Sequence, residues 1–263
     1  MSIALNISEI LFAGIDMSES KRKKMVNEGS IRKITSKIYT PNMVDSLEDI
    51  VKRNVFRILG FLFPHAVISH RSAFELKPTE AGDIYLTYEY TKNVKLPGLK
   101  VHLMEGHGGG ERDMPFIENL YISSAERRTL ENLQASRSRG GVSKCLPREY
   151  IENYLEKHLQ VNGEKGLNDF RDKARECSLE LGMKEEFNTL NSIIGALLLT
   201  RPVSILTSSG AVARASGEPF DAERVKLFGV LFEALHNQPF ETIDEPNVET
   251  SAFRNFAFFE SYF

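Results

Sequence analysis

The stretch Ser18–Asn42, SESKRKKMVNEGSIRKITSKIYTPN, carries a short basic helix, a glycine stop and two short strands that turn back on each other. Ser18 can serve as N-cap, because its hydroxyl accepts an otherwise orphaned backbone N–H. Met25 and Val26 supply a small apolar face, and Gly29 stands where a helix C-cap needs a left-handed residue. Ile31 and Ile34 flank Arg32 and Lys33, and Thr35-Ser36-Lys37 turns the chain into Ile38-Tyr39. Helix, glycine and basic hairpin is the local pattern of a winged helix-turn-helix, with the helix in a major groove and the hairpin against phosphates. Between Asp16 and Lys37 lie seven Lys/Arg against three acids, in a chain of net charge -3. The cations are thus concentrated, as a phosphate-binding surface requires. Ser20, Lys21, Lys23, Lys24, Arg32, Lys33 and Lys37 are the expected DNA-binding residues. Arg22 stands where a packed recognition helix prefers an aliphatic side chain, so only its stem is expected to pack.

Asn6–Ile15, with Ile7, Ile10, Leu11 and Ile15 at helical spacing, reads as the supporting helix of this unit. Ser46 then opens a helix whose broad apolar face runs from Ile50 to Leu62, and Pro64 ends it. Ala66–Ser69 reads as a short strand, followed by a brief helix over Arg71–Leu76. Ile84–Tyr88 and Leu99–Leu103 alternate with period two, joined through the turn Leu96-Pro97-Gly98, and Leu120–Ile122 is a last short strand. Ser123-Ser124-Ala125-Glu126 is a capping box launching a helix through Leu133. Ala135–Lys144 is glycine-rich and basic, and reads as a linker. Beyond it, Arg148–Leu159, a second helix ending at Gly182, Glu185–Leu199, and a fourth helix capped by Asp221 suggest a bundle. The expected fold is therefore α+β: a winged helix-turn-helix over 1–43, a small mixed domain over 44–135, and a helical connector over 145–263.

With 41% hydrophobic and 26% charged residues, the composition is that of a globular chain. The longest apolar runs fall far short of the ~20 residues that span a bilayer, so no membrane partner is expected. Cys145 and Cys177 are isolated, which fits a reducing cytoplasm and leaves no zinc spacing. No cofactor or catalytic residue is expected. The run Gly106–Asp113 lacks the lysine of a phosphate-binding loop and reads as a hairpin connection. His65 and His70 read as structural histidines, and Glu149, Glu152 and Glu156 as a solvated helix face. Arg127, Arg128, Arg137, Arg139 and Lys144 form a second basic group that could track a nucleic-acid backbone. At the end, Phe253, Phe256, Phe259 and Phe263 recur at helical spacing without a cap, which suggests self-association or a cut chain.

Several stretches together resemble a known family arrangement. Ser18–Pro41, including EGSIRKITSKIYTP, is similar to the winged helix of AbiEi-type antitoxins. PHAVISHRSAFE, GDIYLT, LPGLKVHLMEG and LYISSAERRTLENL resemble the small α+β domain that follows it in that family. NSIIGALLLTR, SGAVARASGEPFDAERVKLFGVLFEAL and FRNFAFFESYF resemble the region leading to a bacterial Fic domain. The resemblance implies a DNA-binding, antitoxin-like regulatory portion of a Fic-type AMP-transferase, autoregulating its own locus, with a Fic domain or toxin as partner. The Fic signature HPFxxGNGR is absent, so the chain as it stands is expected to be no enzyme. The alternative is a module that restrains such a partner by protein contact alone.

Overall fold

The computed structural model describes residues 8–135, 142–217 and 222–238. It is a mixed helix-and-sheet chain whose later part is helical. Two compact units are present, residues 1–219 and 220–263.

Leu11–Phe12 forms strand β1 rather than a turn of helix. Its neighbour on the sheet is β3 (Ile38–Thr40), and β3 pairs in turn with β2 (Arg32–Thr35), giving a three-stranded antiparallel sheet in the order β1-β3-β2. Helical spacing of the isoleucines is overridden here by pairing to a distant strand, which also turns alternate side chains to opposite faces. Residues before Ser8, including Asn6 and Ile7 of the expected supporting helix, lie outside the described residues. Helix α1 (Glu19–Asn27) starts at the Ser18 cap, whose Oγ accepts the Lys21 N–H at 3.3 Å. It ends in paired bonds from Ser30 N–H to Met25 O and from Gly29 N–H to Val26 O, with Gly29 at φ +66°. That pattern needs a left-handed residue, which glycine supplies without steric cost.

The three-stranded sheet has two unlike faces. Tyr39, with Leu11 opposite, joins Met17, Ile31 and Met25 in a small cluster under α1. Phe12, Ile34 and Ile38 instead enter a much larger core shared with the elements that follow. Phe12 stacks on Phe61 with ring centroids 4.2 Å apart.

The helix expected from Ser46 onward is two helices, α2 (Leu47–Arg53) and α3 (Val55–Leu62), broken at Asn54 (φ -112°, ψ 20°). Ser46 caps the first as expected, accepting the Asp49 N–H at 3.1 Å. Ile50, Val51, Val55, Ile58 and Leu59 bury the apolar face against a six-stranded sheet. Its strands are β4 (Val67–Ile68), β5 (Asp83–Tyr88), β6 (Lys92–Leu96), β7 (Leu99–Glu105), β8 (Met114–Pro115) and β9 (Tyr121–Ile122), in the order β6-β7-β5-β4-β9-β8. The Leu96-Pro97-Gly98 turn joins β6 to β7, so β5 and β7 are parallel neighbours rather than a hairpin. β6 escapes a sequence reading because its lysines face solvent at the sheet edge, which such charges protect from further pairing.

Gly60 of α3 is placed against a short turn at Ile117–Asn119, in which Glu118 has φ 52°. A Cβ on Gly60 would lie 2.3 Å from the Glu118 carbonyl oxygen. Gly60→Ala should therefore lower stability by about 2 kcal/mol, seen as a melting temperature about 5 °C lower. A rise, as an unobstructed helical glycine would give, would show that the turn yields freely.

Helices α4 (His70–Glu75) and α5 (Ala125–Asn132) connect this core to a second one. Ala73 belongs to the first, while Leu130 is buried in the second and Phe74 packs against it. The second core is built by α6 (Arg148–Leu181), α7 (Lys184–Leu197) and α8 (Ser209–Ala215). The two helices expected over 148–182 are both present within α6, separated at Gly163, whose φ 69° and ψ -177° are not helical. The stretch Thr207–Pro219 reads from sequence as a loop, and α8 lies within it. Glu152, expected on a solvated face, is fully buried and accepts the Thr207 and Ser208 N–H groups, both at 2.7 Å. It thereby fixes the start of α8. In the second unit, α9 (Ala222–His236) matches the fourth expected helix, while Asp221 and the C-terminal phenylalanines lie outside the described residues.

Candidate nucleic-acid interface

The expected DNA-binding residues divide into two groups. On α1, the partly buried side is formed by Met25 and Arg22, and Ser20, Lys21, Lys23 and Lys24 are all exposed. Ser20 Oγ lies 3.2 Å from Ser18 Oγ, and Lys24 has a long, exposed contact of 3.8 Å to Glu28. A pair so exposed contributes little and leaves the ammonium free to exchange partners.

Arg22 is the residue that anchors this helix. Its guanidinium pairs with Glu19, donates to the Tyr39 hydroxyl at 3.0 Å, and lies 5.7 Å from the Tyr39 ring centroid. The Glu19 carboxylate and the Tyr39 hydroxyl hold its pKa above the ordinary arginine value. The expectation that only the stem packs is thus revised: the charged head is engaged as well, within the protein.

On the hairpin, register separates two adjacent cations. Lys33 stands opposite Tyr39, so both side chains lie on the sheet face that α1 covers. Lys33 is exposed, and Lys37 is exposed in the turn at φ 63°. Arg32 faces the other way. Its guanidinium donates to the carbonyls of Asn42 at 2.9 Å and Asp45 at 2.5 Å, bracing the loop that leads into α2. The loop is tied further by Arg53, which pairs with both Glu9 and Asp45. Hydrogen bonding from Arg53 holds the Glu9 and Asp45 carboxyls below their usual values. Five lysines, 21, 23, 24, 33 and 37, remain as exposed cations of the unit.

The second basic group is not a surface of this kind. Arg127 is 4% exposed. It donates to Asp113 at 2.5 Å, to Glu131 at 2.9 Å, and to the carbonyls of His107 at 2.7 Å and Gly108 at 3.3 Å. Burial works against its charge, and the carboxylates of Glu131 and Asp113 overcome this and raise its pKa. Asp113 also accepts the Gly110 and Ser124 N–H groups, and Glu131 accepts the His70 N–H and the Ser123 hydroxyl. The glycine-rich connection is thereby clamped to α5. Arg128 lies over the Phe74 ring, 4.8 Å from its centroid, and Lys144 donates to Gln134 at 2.6 Å. Arg137 and Arg139 lie outside the described residues.

His70 is buried, with ring nitrogens 3.1 Å from Ser69 Oγ and 3.1 Å from Gln134 Oε1, and burial pushes its pKa down. Burial also pushes the Cys177 thiol up to about 11, the reverse of what an activated nucleophile needs. Among the described residues, no group of three or more His, Cys, Asp or Glu is placed to hold a metal ion. Likewise, no described helix is long and apolar enough to cross a membrane.

Sequence reasoning missed Asp113 and Glu131, the partners that disqualify Arg127 as a surface cation. An arginine four residues before a glutamate on one helix was the available signal for half of that pairing. Comparison with protein-family models, with curated proteins and with solved structures gives no match.

Proposed function

We propose that residues 8–45, one helix packed on a three-stranded sheet, form a winged-helix-like unit that docks on duplex DNA. Supporting this reading is one observation above all: α1, the face of the hairpin it covers and the hairpin turn together carry five exposed lysines, while the neighbouring arginines Arg22 and Arg32 are spent internally. The helix brings Ser20 to a groove with Lys21, Lys23 and Lys24 against the phosphates that line it, and Lys33 and Lys37 hold phosphates from the hairpin. Arg22 and Tyr39 fix the angle between helix and hairpin, so that the cations are presented without an ordering cost. By the resemblance of the quoted stretches, the role is regulatory: an antitoxin-like portion of a Fic-type protein acting on its own promoter.

A salt-titrated shift assay on a duplex carrying that promoter tests the reading. Five phosphate contacts give a slope of log K against log salt of about -4.5. A flat dependence would remove DNA docking from consideration.

A second reading, a module that engages a protein partner instead, is favoured by α9. There Leu227, Phe228 and Phe232 are 68%, 65% and 63% exposed. Binding of a toxin or Fic partner that survives loss of the hairpin lysines would support it.

A further inference from the structure

The clamped glycine-rich connection has no part in the DNA-docking surface. It leaves the carboxyl end of β7, next to the carboxyl end of its parallel neighbour β5, and open sheets bind ligands beyond such ends. On one side of it lies a cleft of about 230 Å³ lined by His65, Tyr88, Glu89, Gly109 and Tyr121.

Three observations define what this cleft would accept. The first is its aromatic wall. Tyr88 is held edge-on by Phe63 and Tyr90, at centroid distances of 5.7 and 5.1 Å. Gly109 lies directly on the Tyr121 ring, where a Cβ would come within 2.5 Å of the ring carbon Cγ. Any larger residue at 109 would drive the ring or the loop from its place. The second is charge. Glu89 is the one formally charged residue among those lining the cleft, and no Lys or Arg lines it. The third is the backbone. His65 sits at φ 66° and is fixed there by its N–H, which donates to Asn119 O at 2.8 Å. A non-glycine residue in that region costs energy, and such strain collects at ligand sites.

Phenol rings beside a single carboxylate repel phosphates and attract cations, most of all those whose charge is spread over alkyl groups. The volume is below the usual range for drug-sized ligands, so it suits a headgroup rather than a nucleotide. We propose that this cleft is a binding site for a quaternary alkylammonium group, held by Tyr88 and Tyr121 and countered by Glu89. The site is independent of DNA docking.

Choline titrated into the full chain, followed by tyrosine fluorescence, is the test; the chain has no Trp to obscure the signal. Saturable binding is expected, together with no binding of the neutral tert-butyl isostere of choline. Glu89→Gln, a change at an exposed position, should weaken binding about fivefold, and Tyr121→Leu should abolish it. A short peptide carrying trimethyllysine distinguishes the source: tighter binding than choline assigns the group to a protein side chain, weaker binding to a free metabolite. Equal binding of choline and its neutral isostere, or no saturation by either quaternary probe, overturns the proposal.

Discussion

Arg127→Met should cost about 4 kcal/mol of stability, measured as a fall in the urea midpoint at unchanged slope. The side chain removed is almost fully buried between two carboxylates, Asp113 and Glu131, themselves 6% and 1% exposed. Deleting it leaves two negative charges in a low-dielectric setting with only neutral donors, the costly way to break a buried pair. Against a typical net stability of about 5–15 kcal/mol, that is a large fraction. Removing all three charges together, as Arg127→Met with Asp113→Asn and Glu131→Gln, should recover much of the loss, because no buried charge is then stranded. The single variant should also release the glycine-rich connection, since Arg127 holds the carbonyls of His107 and Gly108. Faster amide exchange there would report it. A loss below about 1 kcal/mol would mean that water reaches the carboxylates and the triad behaves as a surface network.

Under the proposed docking, reversing charge at Lys33 and Lys37 together should weaken retention on duplex DNA a hundredfold or more at ~0.1 M salt. Two phosphate contacts are lost and two repulsions added, and the salt slope should flatten from about -4.5 towards about -2.7. Thermal stability should be unchanged, because both side chains are exposed and take no part in the sheet's packing. Arg32→Ala makes the contrast. It should leave the slope nearly as it was and lower stability, since Arg32 braces the Asn42–Asp45 loop. If Arg32→Ala and the lysine reversal weaken DNA retention alike while stability holds in both, the division of the hairpin into a phosphate face and a bracing face is wrong.

That division shows where sequence reading reaches its limit. Caps and turns are local: Ser18, Ser46 and Ser124 each accept an N–H three residues ahead, as their positions suggest. The Gly29 stop is legible for the same reason. Arg32 and Lys33 are neighbours of like charge, and period two says only that they point apart. Which of them meets α1 depends on Lys33 standing opposite Tyr39, a register set across the sheet. Leu11 and Phe12 fit a helix through the period of Ile7, Ile10 and Ile15, while the pairing with Tyr39 and Ile38 that makes them a strand lies 26 to 28 residues away. The triad behind Arg127 draws on positions 113 and 131, of which only the second is within helical reach. Nothing local marks Gly60, because its neighbour at 118 is remote in the chain.

Phe12, Ile34 and Ile38 have a consequence for how this protein can be taken apart. The sheet bearing Lys33 is also a wall of the large core that contains α3 and β7. Its remaining polypeptide cannot be lent to another protein as a cassette, because excision after Thr40 would expose that wall to water. Fragments and fusions that keep residues 8 through 133 intact preserve the whole of this shared interior, and swaps made at the apparent boundary near residue 43 sever it.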